Sequence, residues 1–248
     1  MNHYFCVCSY LGAAYFGFER QKNHPTIQGK IEECLSAILH EKIKINASGR
    51  TDALVNAKGQ TFSFVCSSSL PNSESRFLYA MNHVLPSDIS IISVQSVPES
   101  FHARYSAKKK TYSYSFRFGA KDPFLAYEVA MLGERKFDEA LYEEAMSLFL
   151  GKHNFQDFTP KSEDSLSFIR TVFDISHKSN ENDIRVTSIT GDGFMTYQVR
   201  TMIGAALKVG LKKMTLSELA KRIDSEERKI LSYKAPAEGL CLEKVFYE

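Results

Sequence analysis

Apolar and polar residues follow two rhythms that exchange places along the chain. Residues 4–10 are short and rich in aromatic and β-branched side chains, as a strand is. Thr26 then stands where a helix N-cap belongs, and Ile27, Ile31, Leu35, Ile38 and Leu39 recur at helical spacing. Residues 42–45 alternate lysine with isoleucine, and residues 60–65 form a second β-rich run. Residues 75–84 read as a helix that Leu85-Pro86 stops, because a residue before proline is pushed out of the α region. Residues 89–97 read as a strand. This β-α-β-β-α-β order is that of a ferredoxin-like unit.

The second half follows the same scheme. Residues 111–118 alternate aromatic and polar side chains as a strand. Residues 137–150 predict an amphipathic helix with Asp138, Glu139, Glu143 and Glu144 on its wet face. Strands are expected at 171–176 and 184–189, a mostly buried helix at 195–209, another at 216–223, and a closing strand at 240–246. Residues 159–167 read as a polar, mobile loop. The pattern predicts an α+β protein of two ferredoxin-like (RRM-like) halves, residues 1–105 and 106–248. Their strands are expected to share an extended, mostly antiparallel sheet with a basic cleft.

Composition narrows the function classes. With 248 residues, 44% hydrophobic and 24% charged, the chain can bury a real core. A net charge of +2 excludes a histone-like protein, and the composition excludes an acidic tail and a fibrous repeat. The five cysteines are odd in number and include no C-x-x-C pair, which argues against a disulfide framework and a zinc ribbon. The first ten residues lack a signal-peptide pattern, and no apolar run reaches the ~20 residues of a membrane helix. A cytoplasmic protein with no membrane partner is therefore expected.

The charges are segregated. Residues 101–121 carry Arg104, Lys108, Lys109, Lys110, Arg117 and Lys121 and no acid, interleaved with Tyr105, Tyr112, Tyr114 and Phe116. Residues 193–217 again carry no acid but include Arg200, Lys208, Lys212 and Lys213. Such tracts suit a groove that follows a phosphate backbone. They equally suit a strand edge protected by lysines.

The most unusual stretch is Ser48-Gly49-Arg50-Thr51-Asp52-Ala53. Its aspartate reads either as a nucleophile or base at a cleft, or as the cap of a turn. Arg200 lies in an apolar helix and needs a carboxylate partner, for which Asp52 is a candidate; the pair would keep Asp52 ionised. Gly191-Asp192-Gly193 lacks the third glycine of a dinucleotide fingerprint, and Gly12 to Gly17 lacks the lysine of a P-loop, so no nucleotide cofactor is expected. His102 and His153 have no metal-like spacing and read as structural hydrogen-bonders, and no metal site is expected. A paired-carboxylate hydrolase stays open on spacing alone.

Taken together, these stretches resemble the TruA family of tRNA pseudouridine synthases over almost the whole chain. Gly49-Arg50-Thr51-Asp52-Ala53 with Val55, Ala57, Gly59 and Gln60 is similar to the family's catalytic signature. Tyr10, Gly12, Tyr15, Gly17 and Gln21 resemble its first strand and loop, and Thr26-Ile27-Gln28-Gly29 its first helix start. Phe101-His102-Ala103-Arg104, Ser106-Ala107-Lys108, Thr111-Tyr112, Gly193-Phe194, Gln198-Val199-Arg200 and Ala235-Pro236-Ala237 with Gly239-Leu240 follow in order. The resemblance implies an isomerase that needs no cofactor. It breaks the uridine N1–C1′ bond, turns the base, and joins C5 to C1′. Asp52 would start the reaction as nucleophile or base, Tyr112 would stack on the target base, Arg200 would pair with Asp52, and Arg50 would fill the space the flipped uridine leaves. Arg104, Lys108, Lys109 and Lys110 would meet RNA, while Phe194 and Leu240, with Met195 and Val199, would wall the pocket. A homodimer is implied, acting on uridines 38, 39 and 40 of the tRNA anticodon stem-loop.

The chain departs from the family at three places. Leu54 stands where the family has glycine, Asn56 where it has histidine, and Glu19 where glutamine is common. These changes put substrate choice in question, so the same isomerase on another RNA site is an alternative. A catalytically idle RNA-binding protein or RNA chaperone and a small-molecule glycosidase are the two rivals from other classes.

Overall fold

Strand β1 (Asn2–Tyr10) lies between β3 (Asn56–Cys66) and β4 (Ile89–Ser96), antiparallel to both, with Phe5 opposite Ser63 and Gln95. Strand β2 (Ile45–Ala47) pairs antiparallel with β3. The resulting order β4-β1-β3-β2 is the ferredoxin-like arrangement foreseen from the sequence. Helix α1 (Ile27–Leu39) starts at Thr26, whose hydroxyl accepts the Gly29 N–H at 3.2 Å. Helix α2 (Glu74–Val84) stacks Phe77 on Phe64 of β3. Ile31, Leu35, Phe77 and Met81 are fully buried, as are Cys6 and Phe62 on the strands. Burial pushes the Cys6 and Cys8 thiols well above their usual value, so both serve as packing residues.

The second set of strands runs β5 (Lys109–Arg117), β9 (Arg185–Gly191), β8 (Ile169–Ser179), β7 (Gly151–Asn154), each antiparallel to the next. The short β6 (Ala130–Met131) adds parallel to β5. Helices α3 (Glu139–Ser147) and α4 (Gln198–Gly210) pack together, and α5 (Leu216–Ala220) opens with a Thr215–Glu218 capping box. Tyr114, Phe116, Tyr142, Phe149, Phe155 and Phe158 are fully buried and form an aromatic core. The final strand, β10 (Leu240–Phe246), pairs parallel with β3, Cys241 opposite Asn56 and Leu242 opposite Ala57.

The computed structural model describes residues 1–67, 69–70, 73–161 and 167–248; most of the expected polar loop, residues 162–166, lies outside them. The described chain forms two compact units, Met1–Lys108 with Cys241–Glu248, and Lys109–Leu240. The expected α+β class, in two halves with mostly antiparallel strands, holds. The expected boundary at residue 105 assigned the closing strand to the second half, whereas from Cys241 onward it clusters with the first. No helix among the described residues is long and apolar enough to cross a membrane.

Three differences have local causes. The strand expected at 42–45 forms at 45–47 instead. Side chains take the earlier backbone donors: the Ile43 N–H goes to the Ser36 hydroxyl and the Ile45 N–H to the Glu32 carboxylate. Strand β3 begins at Asn56 rather than at residue 60, because β10 pairs with a stretch that looks turn-like in isolation. Helix α4 starts at Gln198, not at 195. Tyr197 is left-handed (φ 63°), and the buried Gln198 carboxamide accepts the Met195 N–H at 2.9 Å, holding residues 195–197 as a loop.

Candidate active site

Asp52 sits in a bend whose backbone is fastened on both sides. On entry, Gln60 is fully buried; its carboxamide nitrogen donates to the Gly49 carbonyl at 3.0 Å and its oxygen accepts the Ser48 hydroxyl at 2.8 Å. Thr51 is held twice: its hydroxyl bonds the Tyr10 phenol at 2.8 Å, and its carbonyl accepts the Phe18 N–H at 3.1 Å. The Val55 N–H then donates to the Asp52 carbonyl at 3.2 Å and closes a four-residue turn. Leu54 takes the left-handed place in that turn, at φ 67°. Thr51 and Val55 are buried, Asp52 is half-buried, and Ala53 and Leu54 face solvent. The result is a carboxylate on a stiff support, the condition a reacting group needs.

The wall behind this bend is the segment after β1. Gly12 approaches so closely that an added Cβ would lie 2.3 Å from the Val55 carbonyl oxygen. The Gly12 N–H donates to the Asn56 carboxamide at 2.8 Å, so the asparagine that departs from the family pattern ties this wall to the bend. Gly17 is left-handed (φ 94°), and its added Cβ would meet the Thr51 carbonyl at 2.9 Å. Arg50, exposed on the same bend, forms an ion pair with Glu19. Arg104 and Lys108, also on the first unit, are exposed, and Arg104 lies over the Tyr105 ring. His102 accepts the Arg104 N–H, and His153 bonds Asp224 and the Leu150 carbonyl; both are hydrogen-bonders, as expected. No cluster of metal-ligating side chains occurs among the described residues.

The other expected residues lie on the second unit. Tyr112 of β5 is buried, and Phe194 meets its ring edge-on at 5.5 Å. Phe194 reaches that position over Gly191, where a Cβ would stand 2.8 Å from the ring. Lys109 and Lys110, at the start of β5, are half-buried, and Leu240 is buried. Arg200 is in the first turn of α4, half-buried, with its guanidinium 5.5 Å from the Tyr197 ring centroid. Its Nε donates to the Ala235 carbonyl at 2.9 Å, and the Ala235 N–H donates back to the Arg200 carbonyl at 2.9 Å.

Ala235 belongs to an irregular strap, residues 221–239, that one carboxylate organises. Asp157 is wholly buried; it pairs with Arg222 at 3.1 Å and accepts the Ser225 hydroxyl at 3.0 Å and the Lys229 N–H at 2.6 Å. The Leu231 N–H donates to the Asp157 carbonyl at 2.8 Å, and Arg228 donates to the carbonyls of Gln156, Thr159 and Lys161. Sequence reasoning missed Asp157 and the strap. The only local signal is an acid lodged between two apolar aromatics, Phe155 and Phe158.

Fold and bend together make an α+β scaffold that presents a carboxylate from a braced turn. A family model described as tRNA pseudouridine synthase matches residues 7–106 and 145–248. The chain is 37% identical to a tRNA pseudouridine synthase A 2 of Clostridium perfringens, covering 96% of each chain. It is 35% identical to a tRNA pseudouridine synthase A of Acetivibrio thermocellus, over 97% of this chain and 98% of the relative. It is 36% identical to that of Thermodesulfovibrio yellowstonii, over 96% of each. A slight structural likeness, TM-score 0.40 at 13% identity over 82% of this chain and 45% of the other, is to a chain of a Cbf5–Nop10–Gar1 complex and carries no functional weight. The chain belongs to the tRNA pseudouridine synthase family.

Proposed function

We propose that this chain isomerises uridine to pseudouridine in tRNA, at positions 38, 39 and 40 of the anticodon stem-loop, and that it works as a homodimer in the cytoplasm. The observation that carries the reading is the likeness to tRNA pseudouridine synthases over nearly the whole chain, with Asp52 on a bend built to hold it still. In the reaction the N1–C1′ bond breaks, the base turns, and a C5–C1′ bond forms. The C5 proton leaves and N1 takes up a proton, so nothing is oxidised, reduced or hydrolysed.

Each residue then has one task. Asp52 opens the reaction as nucleophile or base. Tyr112 stacks on the flipped base, a contact worth ~1–3 kcal/mol, and Phe194 keeps its ring from turning. Arg200 pairs with Asp52; because its Nε is engaged by Ala235, the pairing falls to its terminal nitrogens. Arg50 fills the place of the flipped nucleotide. Leu240 and Phe194 wall the site against water, while Arg104, Lys108, Lys109 and Lys110 take phosphates.

The test is a tRNA transcript carrying tritium at uridine C5. Wild-type protein is expected to release tritium while the RNA chain stays intact, and Asp52→Ala to release none. Binding without release would instead mark an RNA-binding protein that lacks catalysis, and free uracil would mark a glycosidase.

A further inference from the structure

We propose that Glu19 is a specificity-determining residue for this reaction: its carboxylate stands in for RNA on Arg50 and must be displaced before the substrate can engage that guanidinium. The inference rests on the reading of Arg50 as an RNA-contacting residue. Glu19 contacts an Nη nitrogen of Arg50, and the two side chains are 45% and 61% exposed, so an incoming RNA oxygen can reach the pair.

The contact is prepared by the backbone on both sides of it. Phe18, just before Glu19, is 1% exposed and donates its N–H to the Thr51 carbonyl. Arg20, just after, gives its N–H to the Gln28 carboxamide and its guanidinium to Glu32, through Nε at 2.8 Å and Nη2 at 2.6 Å. Glu32 is itself buried, and it accepts the Gln28 carboxamide and the Ile45 N–H as well. Arg50 is flanked by Gly49 and Thr51, whose carbonyls are both bonded. Two pinned backbones thus bring the opposite charges together without ordering a long loop.

The chemistry makes the carboxylate a competitor. Arginine binds carboxylate and phosphate with the same planar fork, so one guanidinium face cannot serve both fully. An exposed ion pair is weak, so Glu19 can tune affinity without blocking the site; its removal is worth about two- to five-fold in binding. An RNA that offers Arg50 a well-placed oxygen displaces the carboxylate, and one that does not leaves the Glu19–Arg50 pair intact and gains nothing from the guanidinium. Glu19 therefore filters RNA at the bend that carries Asp52.

The test is a double-mutant cycle on the affinity for an unmodified tRNA transcript, measured by filter binding at fixed salt in an Asp52→Ala background. Glu19→Gln is expected to tighten binding about two- to five-fold, Arg50→Gln to weaken it, and Glu19→Gln to change nothing once Arg50→Gln is present. If the gain from Glu19→Gln persists in full without Arg50, Glu19 acts only as a general charge and the proposal is overturned. Unchanged or weaker binding by Glu19→Gln overturns it too. Tritium release by the protein with Asp52 intact is read separately. Release with an additive cycle sinks this inference alone, while coupling without release sinks the catalytic reading alone.

Discussion

Leu54 occupies a left-handed backbone position that glycine would take without strain, and it does so beside Asp52. A side chain there costs ~1–2 kcal/mol, while glycine would loosen the unfolded chain by ~0.5–1 kcal/mol. Leu54 is exposed, so little burial is lost on its removal. Leu54→Gly is therefore expected to stabilise the protein by about 0.5–1 kcal/mol, read as a higher urea midpoint at unchanged slope. His177 makes a pH-dependent contribution of the opposite kind. Burial beside Tyr142 and Thr187 holds its imidazole below the usual value, against a smaller pull upward from Glu143 and Glu139. The unfolded chain then takes up a proton before the native one does. Stability is expected to fall as pH drops below about 6.5, the unfolded value, and to level off once the native imidazole is also charged. Melting temperatures between pH 7.5 and 5.5 check this, and His177→Gln should remove that part of the slope.

At the scale of elements, two supports act on the site from a distance. The segment after β1 touches the Asp52 bend through Gly12, where a methyl group would collide with the Val55 carbonyl. Gly12→Ala is expected to shift the bend and lower kcat by about 10²-fold while tRNA affinity is retained, a split that steady-state kinetics and filter binding resolve. The strap hangs on Asp157, and removing one partner of a buried ion pair costs about 3–5 kcal/mol. Asp157→Ala is expected to lose that much and to speed hydrogen exchange at the Leu231 and Ala235 amides, the second of which bonds Arg200. These elements mark the edge of what the sequence disclosed. Helix α1 was legible because Thr26 and the isoleucine–leucine spacing act locally. The strap was not, because its order comes from one acid and several backbone carbonyls rather than from any period. The bend was found, but what holds it was not: the partners of Thr51 lie at Tyr10 and Phe18, about forty and thirty residues away.

For the molecule as a whole, the order of elements was readable and their membership was not. Periodicity placed β10 at residues 240–246, where it stands, yet no local signal could tell which half it would join. Its allegiance is set by contacts across the chain's full length. Gly59 admits the β10 backbone, with an added Cβ only 2.3 Å from the Glu243 carbonyl, and Lys58 pairs with Glu243. The Tyr247 phenol bonds Thr61 and the Ala103 carbonyl, and its ring packs on Phe5 and Phe101. Burial lifts that phenol to about 12. A chain ending at Leu240 is accordingly expected to lose protection in β3 first, as hydrogen exchange would report. The same arrangement sets a clock during synthesis. A ribosome that has finished β3 at Cys66 still has 174 residues to add to reach Leu240 (240 minus 66), roughly nine to thirty-five seconds at ~5–20 residues per second. Throughout that interval the edge of β3 waits without its last neighbour, so a prematurely terminated product leaves the ribosome with an open strand that quality-control proteases can seize.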